Sequence, residues 1–139
     1  MNGAEVEARL RRILRDFKGV VSLYLFGSFA EGRQHGESDV DVGVLLDRDY
    51  YPAEAQRFEQ RLLLSAALSL VHGPKADVVI LNDAPATLGR AIVTHGKRLV
   101  CVDEQRDHAF VRDIQLQAAD LDLFLSRMRA IKIDALEQR

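Results

Sequence analysis

Apolar positions recur along this chain first at helical spacing and then at strand-like spacing, and the two patterns keep alternating to the end. Val6, Leu10, Ile13, Leu14 and Phe17 share one face of a 3.6-residue repeat, with Glu5 and Glu7 near the start and Lys18-Gly19 at the stop. They predict a helix over Ala4–Phe17. Val20-Val21-Ser22-Leu23-Tyr24-Leu25-Phe26 is a near-continuous run of β-formers that breaks at Gly27, as expected of a strand buried on both faces. The pattern then predicts a second strand over Ser38–Leu46, a long helix over Pro52–Val71 and a third strand over Ala76–Leu81, with short loops at Asp47-Arg48-Asp49 and His72-Gly73-Pro74. Pro85 suits the first turn of a short helix, Pro85–Thr94, that His95-Gly96 stops, and a fourth strand follows at Arg98–Val102. A last helix begins near Asp103 and carries Phe110, Ile114, Ala118, Leu121, Phe124, Leu125, Met128 and Ile131 in one stripe.

This order predicts an α/β sandwich with helices packed on a small mixed sheet. Nothing reads as a linker, repeat or low-complexity segment, so one domain is expected over 1–139, with a core at about 20–102 and the C-terminal helix at about 103–133. Two helices carry more apolar surface than one stripe needs. Leu116 and Leu123 lie almost opposite the main stripe of the last helix, and Leu62-Leu63-Leu64, Leu68, Leu70 and Val71 make the middle helix apolar around most of its circumference. Such helices are covered on both sides, either by a protein partner or by tilting within the domain.

Composition removes several classes of function. The 139 residues and 47% hydrophobic content suit one ordinary core, and a net charge of −2 argues against a surface that coats nucleic acid. Cys101 stands alone, which excludes an internal disulfide and points to a reducing compartment. No apolar run approaches the roughly 18 residues of a membrane span, and Met1-Asn2-Gly3-Ala4-Glu5 lacks the start of a signal peptide. A cytoplasmic protein is expected.

The chemistry concentrates after the first strand. Phe26-Gly27-Ser28-Phe29-Ala30-Glu31-Gly32 is a small-residue turn, and ten residues after Ser28 separate it from Asp39-Val40-Asp41. On a strand, Asp39 and Asp41 project to one side with Cα atoms about 6.6 Å apart, while Val40, Val42 and Val44 face the other. Two carboxylates at roughly 6 Å repel by roughly 3 kcal/mol at an effective dielectric near 20, which calls for a cation. Mg²⁺ fits, since it takes hard oxygen ligands from one or two carboxylates plus substrate phosphates. Gly27 lets backbone approach a triphosphate, and Ser28 offers its hydroxyl and amide at a helix start, where the dipole favours anions. Nucleotidyl transfer needs a hydroxyl in line with the α-phosphate and a departing pyrophosphate, and two metal ions about 4 Å apart stabilise both oxygens.

Gly27-Ser28, ten intervening residues and Asp39-x-Asp41 resemble the signature of the polymerase-β-like nucleotidyltransferase superfamily, and the small size resembles its minimal nucleotidyltransferase (MNT) branch. The resemblance spans about Val20 to Val102. It implies the polymerase-β-like fold, a Gly-Ser turn whose amides receive the phosphates of ATP, and two acids, Asp39 and Asp41, holding two Mg²⁺ ions. A third acid on a later strand completes such sites. Asp77, the only carboxylate inside Ala76–Leu81, is the candidate, with Asp83 the weaker substitute. By resemblance Asp77 assists the catalytic metal and acts as general base for the incoming hydroxyl. The position after Phe29-Ala30 is usually basic in this motif, yet here it is Glu31; Arg33 is the candidate for the missing charge at the nucleotide.

A free-standing MNT protein resembles the antitoxin of a pair whose partner is a helical HEPN-domain ribonuclease toxin. The implied reaction moves AMP from ATP to a tyrosine hydroxyl of the toxin and silences it. Two alternatives stand beside it: an antitoxin that masks the toxin by binding alone, and a nucleotidyltransferase acting on a small molecule such as an antibiotic. His35, His72, His95 and His108 are too scattered for a zinc site, and no histidine is placed to make Ser28 a covalent nucleophile. Tyr50-Tyr51 reads as a packed loop, with contact to a nucleotide base the other option.

Overall fold

The computed structural model describes residues 2–27, 30, 32, 39–69 and 74–137. The elements are α1 (Gly3–Leu14), β1 (Val20–Phe26), β2 (Val40–Leu46), α2 (Glu54–Leu68), β3 (Ala76–Ile80), a single 3₁₀ turn (Leu81–Asp83), α3 (Ala86–His95), β4 (Lys97–Cys101) and α4 (Glu104–Glu137). The expected alternation is therefore present, with shifted ends. α1 stops at Leu14 rather than Phe17, β2 starts at Val40 rather than Ser38, and α2 occupies Glu54–Leu68 rather than Pro52–Val71. Leu81 leaves β3 to open the 3₁₀ turn, β4 sits one residue earlier than expected, and α4 runs on past residue 133.

Local chemistry sets several of these ends. The Asn2 carboxamide oxygen accepts from the Glu5 amide at 2.9 Å and caps α1. Gln56 reaches back to accept from the Ala53 amide at 2.9 Å, half of a capping box that starts α2 two residues after Pro52. Asp103 accepts from the Arg106 amide at 3.1 Å and opens α4.

The strands form one mixed sheet in the order β3-β2-β1-β4. β1 is antiparallel to both β2 and β4, and β2 is parallel to β3. On one face Leu23, Leu25, Val42, Val44, Val78 and Ile80 meet α1 through Leu10 and Leu14 and α2 through Leu64 and Leu68. On the other, Val21, Tyr24, Leu45 and Leu81 meet Ile92 of α3 and Phe110 of α4. Gly43 permits this second packing, because a Cβ there would press on Ile92 and Leu81.

One buried polar group fastens α4 to the sheet. The Tyr24 hydroxyl donates to Asp107 at 2.8 Å, and Arg98 of β4 donates to the same carboxylate at 2.9 Å. Asp107 is 1% exposed, and these two partners satisfy its buried oxygens. Burial, and then the bond to Asp107, raise the Tyr24 hydroxyl well above the usual phenolic range, which keeps it a donor. Asp107→Ala strands Arg98 and the Tyr24 hydroxyl and is expected to cost about 2–3 kcal/mol of unfolding free energy. Tyr24→Phe leaves the ion pair in place and should cost about 1 kcal/mol. Urea unfolding of the two variants measures both; equal costs would show that the carboxylate does not organise the group.

Candidate active site

β1 ends and β2 begins at the same end of the sheet, and there the candidate residues meet. Asp41 lies in register with Phe26 of β1 on one side and with Asp77 of β3 on the other. Neighbouring strands lie about 4.8 Å apart and in-register side chains leave the sheet on the same face, so Asp41 and Asp77 stand side by side. This is the face on which Gly43 and Leu45 follow along β2. Asp39 falls one residue before β2, exposed, where a strand position was expected.

The electrostatics tie the three acids together. Burial raises the Asp41 carboxyl above the usual carboxylate range, and the charges of Asp77 and then Asp39 push it further. Both charges acting on it are carboxylates, so the like-charge burden anticipated for Asp39 and Asp41 exists here and extends to Asp77. Among the described residues, no three carboxylate, imidazole or thiol groups close into a ready-made metal cage. The acids instead make an open, oxygen-only set on the rim of the sheet. Such a set suits Mg²⁺, which uses one or two carboxylates and completes its shell with phosphate oxygens and water.

Gly27 fits against this set for two reasons. Its φ of +72° lies in the left-handed region that L side chains rarely adopt. A Cβ at this position would also collide with the Asp41 carboxylate. The turn therefore bends directly over the acid, which brings backbone to where a triphosphate would bridge to a bound cation. Ser28, Glu31 and Arg33 lie outside the described residues. Ala30 packs against the core beneath the turn, and Gly32 again has a positive φ of 71°.

Other candidates separate from the site. Asp83, the substitute third acid, sits beyond the far end of β3, where the buried Arg57 guanidinium grips it with bonds of 2.9 Å from both Nε and Nη2. Tyr50 and Tyr51 also lie at the far end, their rings edge to face at 4.8 Å, and the Tyr51 hydroxyl donates to the Lys18 carbonyl at 2.7 Å. They form the packed loop that was expected. His95 ends α3 and is exposed, His108 lies 3.5 Å from Glu104, and His35 and His72 fall outside the described residues. Cys101 is a partly buried residue of β4, and its thiol is pushed up by burial. Lys97 opens β4 at the same end as the acids, opposite Leu25, but its ammonium pairs with Glu7 at 2.8 Å.

What spacing alone did not disclose is the contact between Gly27 and Asp41. It joins positions well separated in the sequence, and strand pairing brings them together. No helix of the described chain is long and apolar enough to cross a membrane.

Comparison with known proteins gives the same reading. The polymerase beta nucleotidyltransferase family model matches residues 8–105. The protein adenylyltransferase MntA of Shewanella oneidensis is 35% identical over 98 residues, which cover 67% of this chain and 63% of that relative. Among solved structures, a toxin–antitoxin complex with AMP-PNP contains a chain that matches with a TM-score of 0.65 and 30% identity, over 94% of this chain and 98% of that one. A complex of the tri-AMPylated HEPN toxin of Shewanella oneidensis with its MNT antitoxin matches with a TM-score of 0.61 and 26% identity, over 96% and 98% of the two chains. The family match takes in all four strands, the Gly27 turn and the three acids, and this chain belongs to the polymerase beta nucleotidyltransferase family.

Proposed function

We propose that this chain is a cytoplasmic, Mg²⁺-dependent protein adenylyltransferase that acts as an antitoxin, moving AMP from ATP to a tyrosine hydroxyl of a partner HEPN-domain ribonuclease toxin. The observation that carries the reading is the pairing of Asp41 with Asp77 beneath the left-handed turn at Gly27, with burial and then the charges of Asp77 and Asp39 raising the Asp41 carboxyl. The names of the relatives, an adenylyltransferase and an antitoxin complexed with an AMPylated toxin, support the choice of nucleotide and acceptor.

In this reading Asp39 and Asp41, completed by Asp77, would hold two Mg²⁺ ions, which would supply charge neutralisation for the transfer. Gly27 and Ser28 would seat the phosphates of ATP with backbone amides and the Ser28 hydroxyl, and Arg33 would add positive charge at the nucleotide. Asp77 accepts the proton of the tyrosine hydroxyl as its oxygen bonds to the α-phosphorus; the bond from that phosphorus to the bridging oxygen breaks, and pyrophosphate leaves. The open rim exposes Asp39 and Asp77, giving a bulky protein acceptor access to the metal-binding groups.

Incubation with ATP, Mg²⁺ and the HEPN partner, followed by intact mass measurement of the partner, should show the addition of AMP. Asp41→Asn should lower the rate at least about 10³-fold while leaving partner binding intact, because several kcal/mol of charge stabilisation are lost. Tight binding with no added mass by the unaltered chain would establish masking instead.

Asp41 also yields a thermodynamic prediction that does not depend on turnover. Its folded carboxyl is raised above the unfolded value, so its contribution favours folding at low pH and is lost as pH rises through the folded value. At neutral pH without metal, Asp41→Asn should therefore melt at a higher temperature than the unaltered chain. Mg²⁺ with ATP at 100 times Kd should stabilise the unaltered chain by about 2.7 kcal/mol and the variant far less. Thermal melts with and without Mg²⁺ and ATP read both effects, and equal shifts in the two proteins would remove Asp41 from the metal site.

Gly27→Ala meets both the strained φ and the Asp41 carboxylate, and should cost about 1–3 kcal/mol of stability in urea unfolding.

A further inference from the structure

The second half of α4 leaves the domain. Ala118 is the last buried residue of the helix, Asp122 still pairs with Arg90 of α3 at 2.8 Å, and every residue from Ala119 to Glu137 is exposed. These residues extend about 28 Å at 1.5 Å per residue. A helix of that length gains little stability without a packed face. Its apolar stripe nevertheless continues: Leu121, Phe124, Met128 and Ile131 are 37%, 57%, 47% and 62% exposed. These residues repeat at alternating spacings of three and four from Leu121 to Ile131, and Ala135 extends the pattern. That is the seam of a coiled coil.

The charges beside the seam decide what fits it. Arg127 and Asp134 lie one turn of the repeat apart on the same flank, and Asp120 precedes them. In a parallel pair of copies, Arg127 would face Lys132 across the seam and repel it. In an antiparallel pair with Met128 of each copy against Ile131 of the other, Arg127 of each copy falls nearest Asp134 of the other. Lys132 then lays its aliphatic stem over Leu125. The same register sets Phe124 against Ala135, a large side chain against a small one. It overlaps residues 122–137 of both copies, about 24 Å. The reversed pairing sets unlike charges together twice, once from each copy, as an isologous two-fold contact allows.

We propose that the exposed half of α4 is a self-association surface, on which two copies of this chain pair as an antiparallel coiled coil. The inference rests on α4 alone and does not depend on the reaction assigned to the acidic site, which lies on the other end of the sheet from the start of α4.

Sedimentation equilibrium of the full chain without its partner tests the pairing. A dimer is expected, and Met128→Glu combined with Ile131→Glu should weaken it at least about 10²-fold. Arg127→Asp alone places two acids together and should weaken the dimer about tenfold, as should Asp134→Arg alone. The double exchange, Arg127→Asp with Asp134→Arg, should restore it. Circular dichroism confirms that each variant keeps its fold, and the charge exchange at exposed positions decides the matter if the seam variant does not. A monomer at all concentrations, or a dimer indifferent to the exchange, overturns the proposal. So does a monomer that binds a HEPN-domain protein only while Met128 and Ile131 are intact, since the seam would then belong to that partner.

Discussion

The repulsion among Asp39, Asp41 and Asp77 is the constraint around which the working end of this molecule is built. A half-buried carboxylate pressed between two others and roofed by a glycine turn is an unfavourable arrangement for an isolated chain. In the proposed function it would become favourable on entry of a divalent cation and a triphosphate, whose opposite charges would offset those of the acids.

The rest of the sheet holds that arrangement in register. A slip of one residue between β2 and β3 would turn Asp41 or Asp77 to the opposite face, into the apolar layer of Leu64 and Leu68. Polar locks at the far end oppose such a slip. Asn82 bonds both the amide and the carbonyl of Leu46, at 2.9 and 2.8 Å, and ties the turn after β3 to the end of β2. Arg57 links α2 to Asp83 and to the Tyr51 carbonyl. Arg106 reaches from α4 to Asp47 and Asp49. The strained end and the locked end are thus opposite ends of the same strands.

The two long helices divide their labour differently from a simple sandwich. α2 buries Leu64 and Leu68 but leaves Leu62 and Leu63 half exposed, so tilting within the domain does not cover both faces. α4 spends its first half on the core, anchored by Asp107, and carries its second half away from it. Both leave apolar surface exposed.

Element types were legible in the sequence wherever periodicity was strong. The run Val20–Phe26, the stripe of α1 and the break at Gly27 each declare themselves through local spacing, and Asp41 shares a strand face with Gly43 as its repeat of two requires. Boundaries were less legible because caps compete over single residues: Gln56 bonding the Ala53 amide, not Pro52, decides where α2 starts. The resemblance to the family is carried by Gly27-Ser28 and Asp39-x-Asp41, which are local in the sequence. What the tertiary structure alone decided was pairing across distance. That Asp77 and not Asp83 stands beside Asp41 follows from the parallel register of β2 and β3, and the meeting of Gly27 with Asp41 follows from β1 lying antiparallel to β2. Periodicity records which face a residue takes on its own element; which neighbour shares that face depends on strand order and register, and these are settled by the packing of the whole core.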